Sequence, residues 1–95
     1  MSGKAAKIVL TEKQQLELKN IKRSMVCPQR LIQRATIILL AFEGMLNTQI
    51  SLLVGIGRQQ VGLWRRRWQQ SFEALVEIEQ RETRAEFRRT IEDIV

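Results

Sequence analysis

Between Asn47 and Gln70 two apolar, helix-periodic runs meet at a glycine, a join that few folds accommodate. The stretch reads NTQISLLVGIGRQQVGLWRRRWQQ. In the first run Ile50 and Val54 stand four apart, on one face of a helix whose N-terminus Asn47 is placed to cap. Ser51 is small, as a close crossing of two helices requires. Gly55 falls where a turn needs positive φ, and Ile56 follows as the apolar plug of that turn. In the second run Val61, Trp64 and Trp68 line an inner face. Helix, tight turn and helix in this pattern make a helix-turn-helix, the form whose second helix enters the major groove of duplex DNA.

With Val61, Trp64 and Trp68 inward, the opposite stripe of the second helix is Gln59, Leu63, Arg66 and Gln70, flanked by Gln60, Gly62 and Arg67. Glutamine can bond an adenine edge through donor and acceptor together, and arginine does the same for guanine. The candidate base-contacting residues are therefore Gln59, Gln60, Leu63 and Arg66. Leu63 suits a thymine methyl, another protein, or plain exposure. Arg65, Arg66 and Arg67 fan across about 200° of the helix, so they cannot all face one groove. Arg66 is expected to point at the DNA, while Arg65 and Arg67 grip phosphates or bond glutamates. Arg58, Lys4 and Lys7 complete the expected phosphate contacts. Gly62, inside a helix, costs about 1 kcal/mol relative to Ala and suits either a close approach to DNA or tolerated drift.

Charge supports a polyanion partner. Residues 1–70 hold twelve Lys/Arg against three Glu, a balance of +9, and residues 71–95 hold four Arg against seven acids, a balance of −3. The sum is the net +6 of the chain. A basic body with an acidic tail fits duplex DNA as partner, with solubility alone as the plainer alternative. One Cys and no His rule out an internal disulfide framework and argue against a zinc site; the single Cys27 fits a reducing cytoplasm. The apolar run from Ala35 to Phe42 is too short to cross a bilayer. No paired acid and base, no phosphate loop and no cofactor motif appear, so neither an enzyme nor a small-molecule substrate is expected.

Residues 1–10 lack helical periodicity and are expected to form a flexible basic arm. Thr11 with Gln14 forms a capping box opening a helix over 12–24, with Leu18, Ile21 and Met25 inward, Leu16 on the flank, and Lys13, Lys19, Lys22 and Arg23 outward. Pro28 suits the first turn of a second helix, whose Leu31, Ile32, Ala35, Ile38, Leu39 and Phe42 keep the 3.6 period. Ile37 and Leu40 make that helix apolar on a second side, so it should sit mid-bundle. Gly44 ends it, and Met45 and Leu46 are expected to plug the core at the bend. After Ser71, Phe72, Leu75, Val76 and Ile78 suggest a short helix ending near Gln80. Thr83 with Glu86 then caps a last one whose Phe87, Ile91, Ile94 and Val95 either pack back or pair with another copy. An end inside an apolar helix is what a fragment of a longer protein would show.

The segments LTEKQQLEL, RLIQRATIILLAFEG and NTQISLLVGIGRQQVGLWRRRWQQ, with RAEFRRTIEDIV in the tail, resemble the N-terminal DNA-binding region of bacterial insertion-sequence transposases of the mariner-like DDE superfamily. Gly62 and Leu63 depart from the basic pair common in that family. The resemblance implies binding of a mobile element's terminal inverted repeats, in the bacterial cytoplasm at the nucleoid. It implies no cleavage by this chain, because the catalytic acidic triad of the family lies outside it.

The expected architecture is all-α. A homeodomain-like three-helix bundle with a helix-turn-helix spans 11–70, and a C-terminal helical extension over 71–95 serves as linker or homodimer contact. The alternatives are a stand-alone dimeric transcriptional regulator and a protein-interaction module using the C-terminal helices.

Overall fold

In the computed structural model, which describes residues 7–95, Thr11 opens the first helix, α1 (Glu12–Arg23). Its Oγ1 accepts from the Gln14 amide and Gln14 Oε1 accepts from the Thr11 amide, each at 3.2 Å, closing the expected capping box. The same two side chains reach across the molecule. Thr11 Oγ1 and Gln14 Nε2 donate to Glu79 Oε1 at 2.8 and 3.3 Å, and Gln14 is fully buried. Helix cap and tertiary contact are thus one unit.

Pro28 stands at the N-cap of α2 (Gln29–Phe42), one position before the first turn expected for it. Leu31, Ala35, Ile37, Ile38, Leu39 and Ala41 are buried, so α2 is covered on more than one side, as its composition implied. Gly44, at φ +95°, ends it. Then come α3 (Asn47–Val54), a turn through Gly55 at φ +82°, α4 (Arg58–Arg81) and α5 (Arg84–Ile94). No strand occurs among the described residues, and the fold is all-α. Helices α2, α3 and α4 form the three-helix unit, α1 lies along α2, and α5 returns along α4 to touch α1. Among the described residues no helix is long and apolar enough to cross a membrane.

Four sequence expectations are corrected. Met25 is 99 % exposed, because α1 ends at Arg23 and the Ser24 hydroxyl ties down the amides of Val26 and Cys27 instead. Leu46 is exposed and only Met45 of the pair packs on the core. There is no break at Ser71. Its hydroxyl donates to the Arg67 carbonyl at 2.9 Å rather than capping a new helix, and α4 runs on for 24 residues with Val61, Trp68 and Leu75 buried along one side. Finally, the expected arm is packed down at its end: Ile8 and Leu10 are buried between exposed Lys7 and Val9, an alternation of extended chain.

The last helix packs back. Its capping box forms as read, with Thr83 Oγ1 accepting from the Glu86 amide at 3.3 Å, and Phe87, Ile91 and Val95 are buried in the bundle. Phe87, Ile91 and Val95, part of the apolar face offered for a homodimer through 71–95, are thus covered within the chain. The polar anchor of α5 is Glu17, buried at the α1 surface, which pairs with Arg84 at 2.9 Å and Arg88 at 3.4 Å. Burial opposes the charge on Arg88, but hydrogen bonds to Cys27, Glu92 and Glu17 outweigh it, and the guanidinium is held more basic than usual. Glu17 is buried, but Arg84 is largely exposed and Arg88 keeps Glu92, so removing Glu17 strands neither arginine in the interior. Glu17→Ala is therefore expected to cost about 1–2 kcal/mol in denaturant unfolding, through the hydrogen bonds lost to charged groups.

Candidate nucleic-acid interface

The turn joining α3 to α4 is closed from three sides. Gly55 takes the left-handed conformation, the Ser51 hydroxyl donates to the Ile56 carbonyl, and Gln33 Nε2 donates to the Val54 carbonyl at 3.3 Å. Ile56 is half-buried against the core, filling the bend as its position implied. Gly57 then opens α4 without any side-chain cap. Ile50 and Val61, both fully buried, hold the two helices of the motif together.

With Val61 and Trp68 inward and Trp64 partly covered, the outward stripe stands clear. Gln59, Gln60, Leu63 and Arg66 are all exposed, as are Gln70 and, on the flank, Arg67. Leu63, half exposed, borders an open cleft with Arg66, Arg67 and Gln70. The side chains singled out for base contact therefore share one accessible surface, with Arg66 in none of the four ion pairs among the described residues. Arg58 is exposed in the first turn of α4. Lys7 is exposed beside a cleft with Gln69, Gln70 and Glu73. Lys4 lies outside the described residues.

Arg65 is the correction. It is only 4 % exposed, and Nη1 donates to the Met45 carbonyl at 2.9 Å and to Asn47 Oδ1 at 3.0 Å. Burial pulls its guanidinium below the usual arginine range. Instead of meeting phosphate, Arg65 ties the recognition helix to the corner between α2 and α3. Asn47 is corrected with it: Leu46 occupies the N-cap position of α3, and the Asn47 side chain serves the clamp. Gly62 completes the arrangement. A Cβ there would stand 3.3 Å from Asn47 Nδ2, so the glycine makes room for the amide that Arg65 holds from its other end.

No local pattern announces this clamp, since Arg65 and its partners lie about twenty residues apart. The one usable hint was angular: Arg65 follows Val61 by one turn and so shares its inward face. Arg65→Met leaves a part-buried carbonyl and amide oxygen without this donor and is expected to cost about 1–2 kcal/mol of stability. The salt dependence of duplex binding by the folded fraction should not change, because no phosphate contact is lost. Thermal unfolding with a parallel salt titration checks both halves.

No group of three or more His, Cys, Asp or Glu among the described residues could hold a metal ion. The model of the homeodomain-like domain family matches residues 28–76, more than half of the chain. The match starts at the N-cap of α2 and ends within α4, so it takes in the three-helix unit and leaves α1 and α5 outside. No curated protein and no solved structure matches.

Proposed function

The chain belongs to the homeodomain-like domain family, and from that premise we propose that it binds a specific duplex DNA sequence by laying the first half of α4 in the major groove. The observation that carries the reading is the outward stripe of α4. Gln59, Gln60, Leu63 and Arg66 stand exposed together, while the same helix is locked in place from behind by Val61, Arg65 and Trp68. A rigid helix with adaptable polar ends outward is what base readout needs.

In this reading Gln59 and Gln60 meet bases near the start of the helix, Arg66 reaches a guanine two turns further on, and Leu63 covers a thymine methyl between them. Arg58 and Arg67 border that face and bind phosphates, and Lys7 serves the far end. The natural target is the terminal inverted repeat of a mobile element, read by the recognition part of a transposase. That finer identification rests on the resemblance of RLIQRATIILLAFEG and the W-R-R-R-W run to such proteins. Residues 11–70 act as the binding unit, and the rest of α4 with α5 serves as its brace.

Selection from a random duplex pool, followed by affinity measurement across a salt series, tests the reading. A preferred site should emerge. Gln59→Ala and Arg66→Ala should each cost about 1–3 kcal/mol against that site and relax preference at one position, while binding to unrelated duplex changes little. Retained preference in both variants would remove the base-contact assignment, and no duplex binding at low salt would remove DNA binding itself.

A further inference from the structure

Arg30 and Arg34 lie one turn apart on α2, and Arg67 of α4 shares the Trp64 ring with Arg34. The Arg34 guanidinium carbon lies 4.0 Å from the centroid of the Trp64 ring, and that of Arg67 lies 5.4 Å from it. Arg34 Nη1 donates to the Val95 carbonyl at 3.2 Å, and Arg67 Nη2 to the Asp93 carbonyl at 3.4 Å. Both acceptors are main-chain oxygens. None of the four ion pairs among the described residues includes any of the three arginines. Burial, then repulsion from Arg30 and Arg67, lowers the pKa of Arg34, so the three charges are close enough to oppose one another.

The remaining arginines that pair do so elsewhere. Arg81, Arg84 and Arg88 each meet a glutamate, on the part of the molecule where acids are plentiful. A cationic group in none of the ion pairs with Asp or Glu side chains among the described residues, beside an ordered indole, differs from those in both respects. An anion from outside would relieve its mutual repulsion, and planar guanidinium forks match phosphate oxygens. Stacking on Trp64 holds two of the forks in place before the anion arrives. Position agrees with chemistry. Arg67 follows Arg66 by about 100° around α4, so the cluster borders the outward stripe on the α2 side. A sugar-phosphate strand edging a groove filled by α4 would pass there.

We propose that Arg34 and Arg67, stacked on Trp64, with Arg30 one turn before Arg34 on α2, form a phosphodiester-binding site for the DNA strand that borders the recognition groove. The proposal rests on the DNA reading above and adds two residues of α2 to it. The site is blind to sequence: it fixes the register of α4 on the duplex and contributes to affinity for any DNA.

The test is the slope of log affinity against log salt, measured for the whole chain on a selected duplex and on a scrambled one. Each phosphate contact contributes roughly 0.9 to that slope. Arg30→Gln, at an exposed position, should lower its magnitude by about 1 and Arg30→Gln with Arg67→Gln by about 2, on both duplexes alike. Arg30→Lys should keep the slope, and Arg81→Gln, at the far end of α4, should leave it unchanged. An unchanged slope in the Arg30→Gln and double variants while binding persists overturns the site. Loss of preference between the two duplexes with the slope intact also overturns it, since that marks base contact. Absence of any duplex binding by the unaltered chain overturns both this site and the reading beneath it.

Discussion

The inward side of α4 carries Val61, Trp68 and Leu75 at seven-residue spacing, all three buried, and the rest of the molecule is arranged around that stripe. Because the stripe continues past the end of the helix-turn-helix, α4 cannot stop where the motif does. Twenty-four residues at 1.5 Å rise make a rod of about 36 Å, close to the longest dimension of the molecule, 39 Å. Its first half presents the outward glutamines and Arg66. Its second half gives α5 something to pack on and holds the α1 cap through Glu79. Orientation of the recognition surface and stability of the bundle therefore depend on one rod.

Polar groups then fix what apolar packing leaves free to slide. Glu79 on the second half of α4 accepts from both members of the α1 capping box. Glu17 on α1 holds Arg84 and Arg88 of α5. Arg65 on the first half of α4 holds the corner before α3. Each joins elements distant in sequence and buries or half-buries a charge, where a missing partner is costly. Together they set angles that methyl groups alone would leave degenerate. Placement within about half an ångström matters at a base-reading surface.

What was legible in the sequence was short-range. Thr11 with Gln14 and Thr83 with Glu86 are three residues apart, and both capping boxes form. Among the described residues Gly44 and Gly55 are the two glycines with positive φ, each at the turn where its freedom is needed. Ile50, Val54 and Val61 fall on the faces that periodicity gave them. The hidden part was long-range. Nothing local distinguishes Ser71 as a helix-interior hydroxyl from Ser71 as a cap. Nothing near Ile8 and Leu10 reveals that they will join the core. The run Arg65, Arg66, Arg67 shows the limit most sharply. Three identical neighbours end as a buried clamp, an outward contact and a flank beside an indole. At about 100° per residue they had to part, but only the packed structure shows which neighbour goes inside.

The central claim, that one surface of α4 meets duplex DNA, is tested most directly by following backbone amide and arginine Nε signals by NMR while a selected duplex is added. The largest shifts are expected at Arg58 to Gln70, with the Arg66 Nε among them, and Arg65 Nε nearly still. Shifts centred instead on the exposed leucines of α3, Leu52 and Leu53, or on α5, would contradict DNA contact through α4.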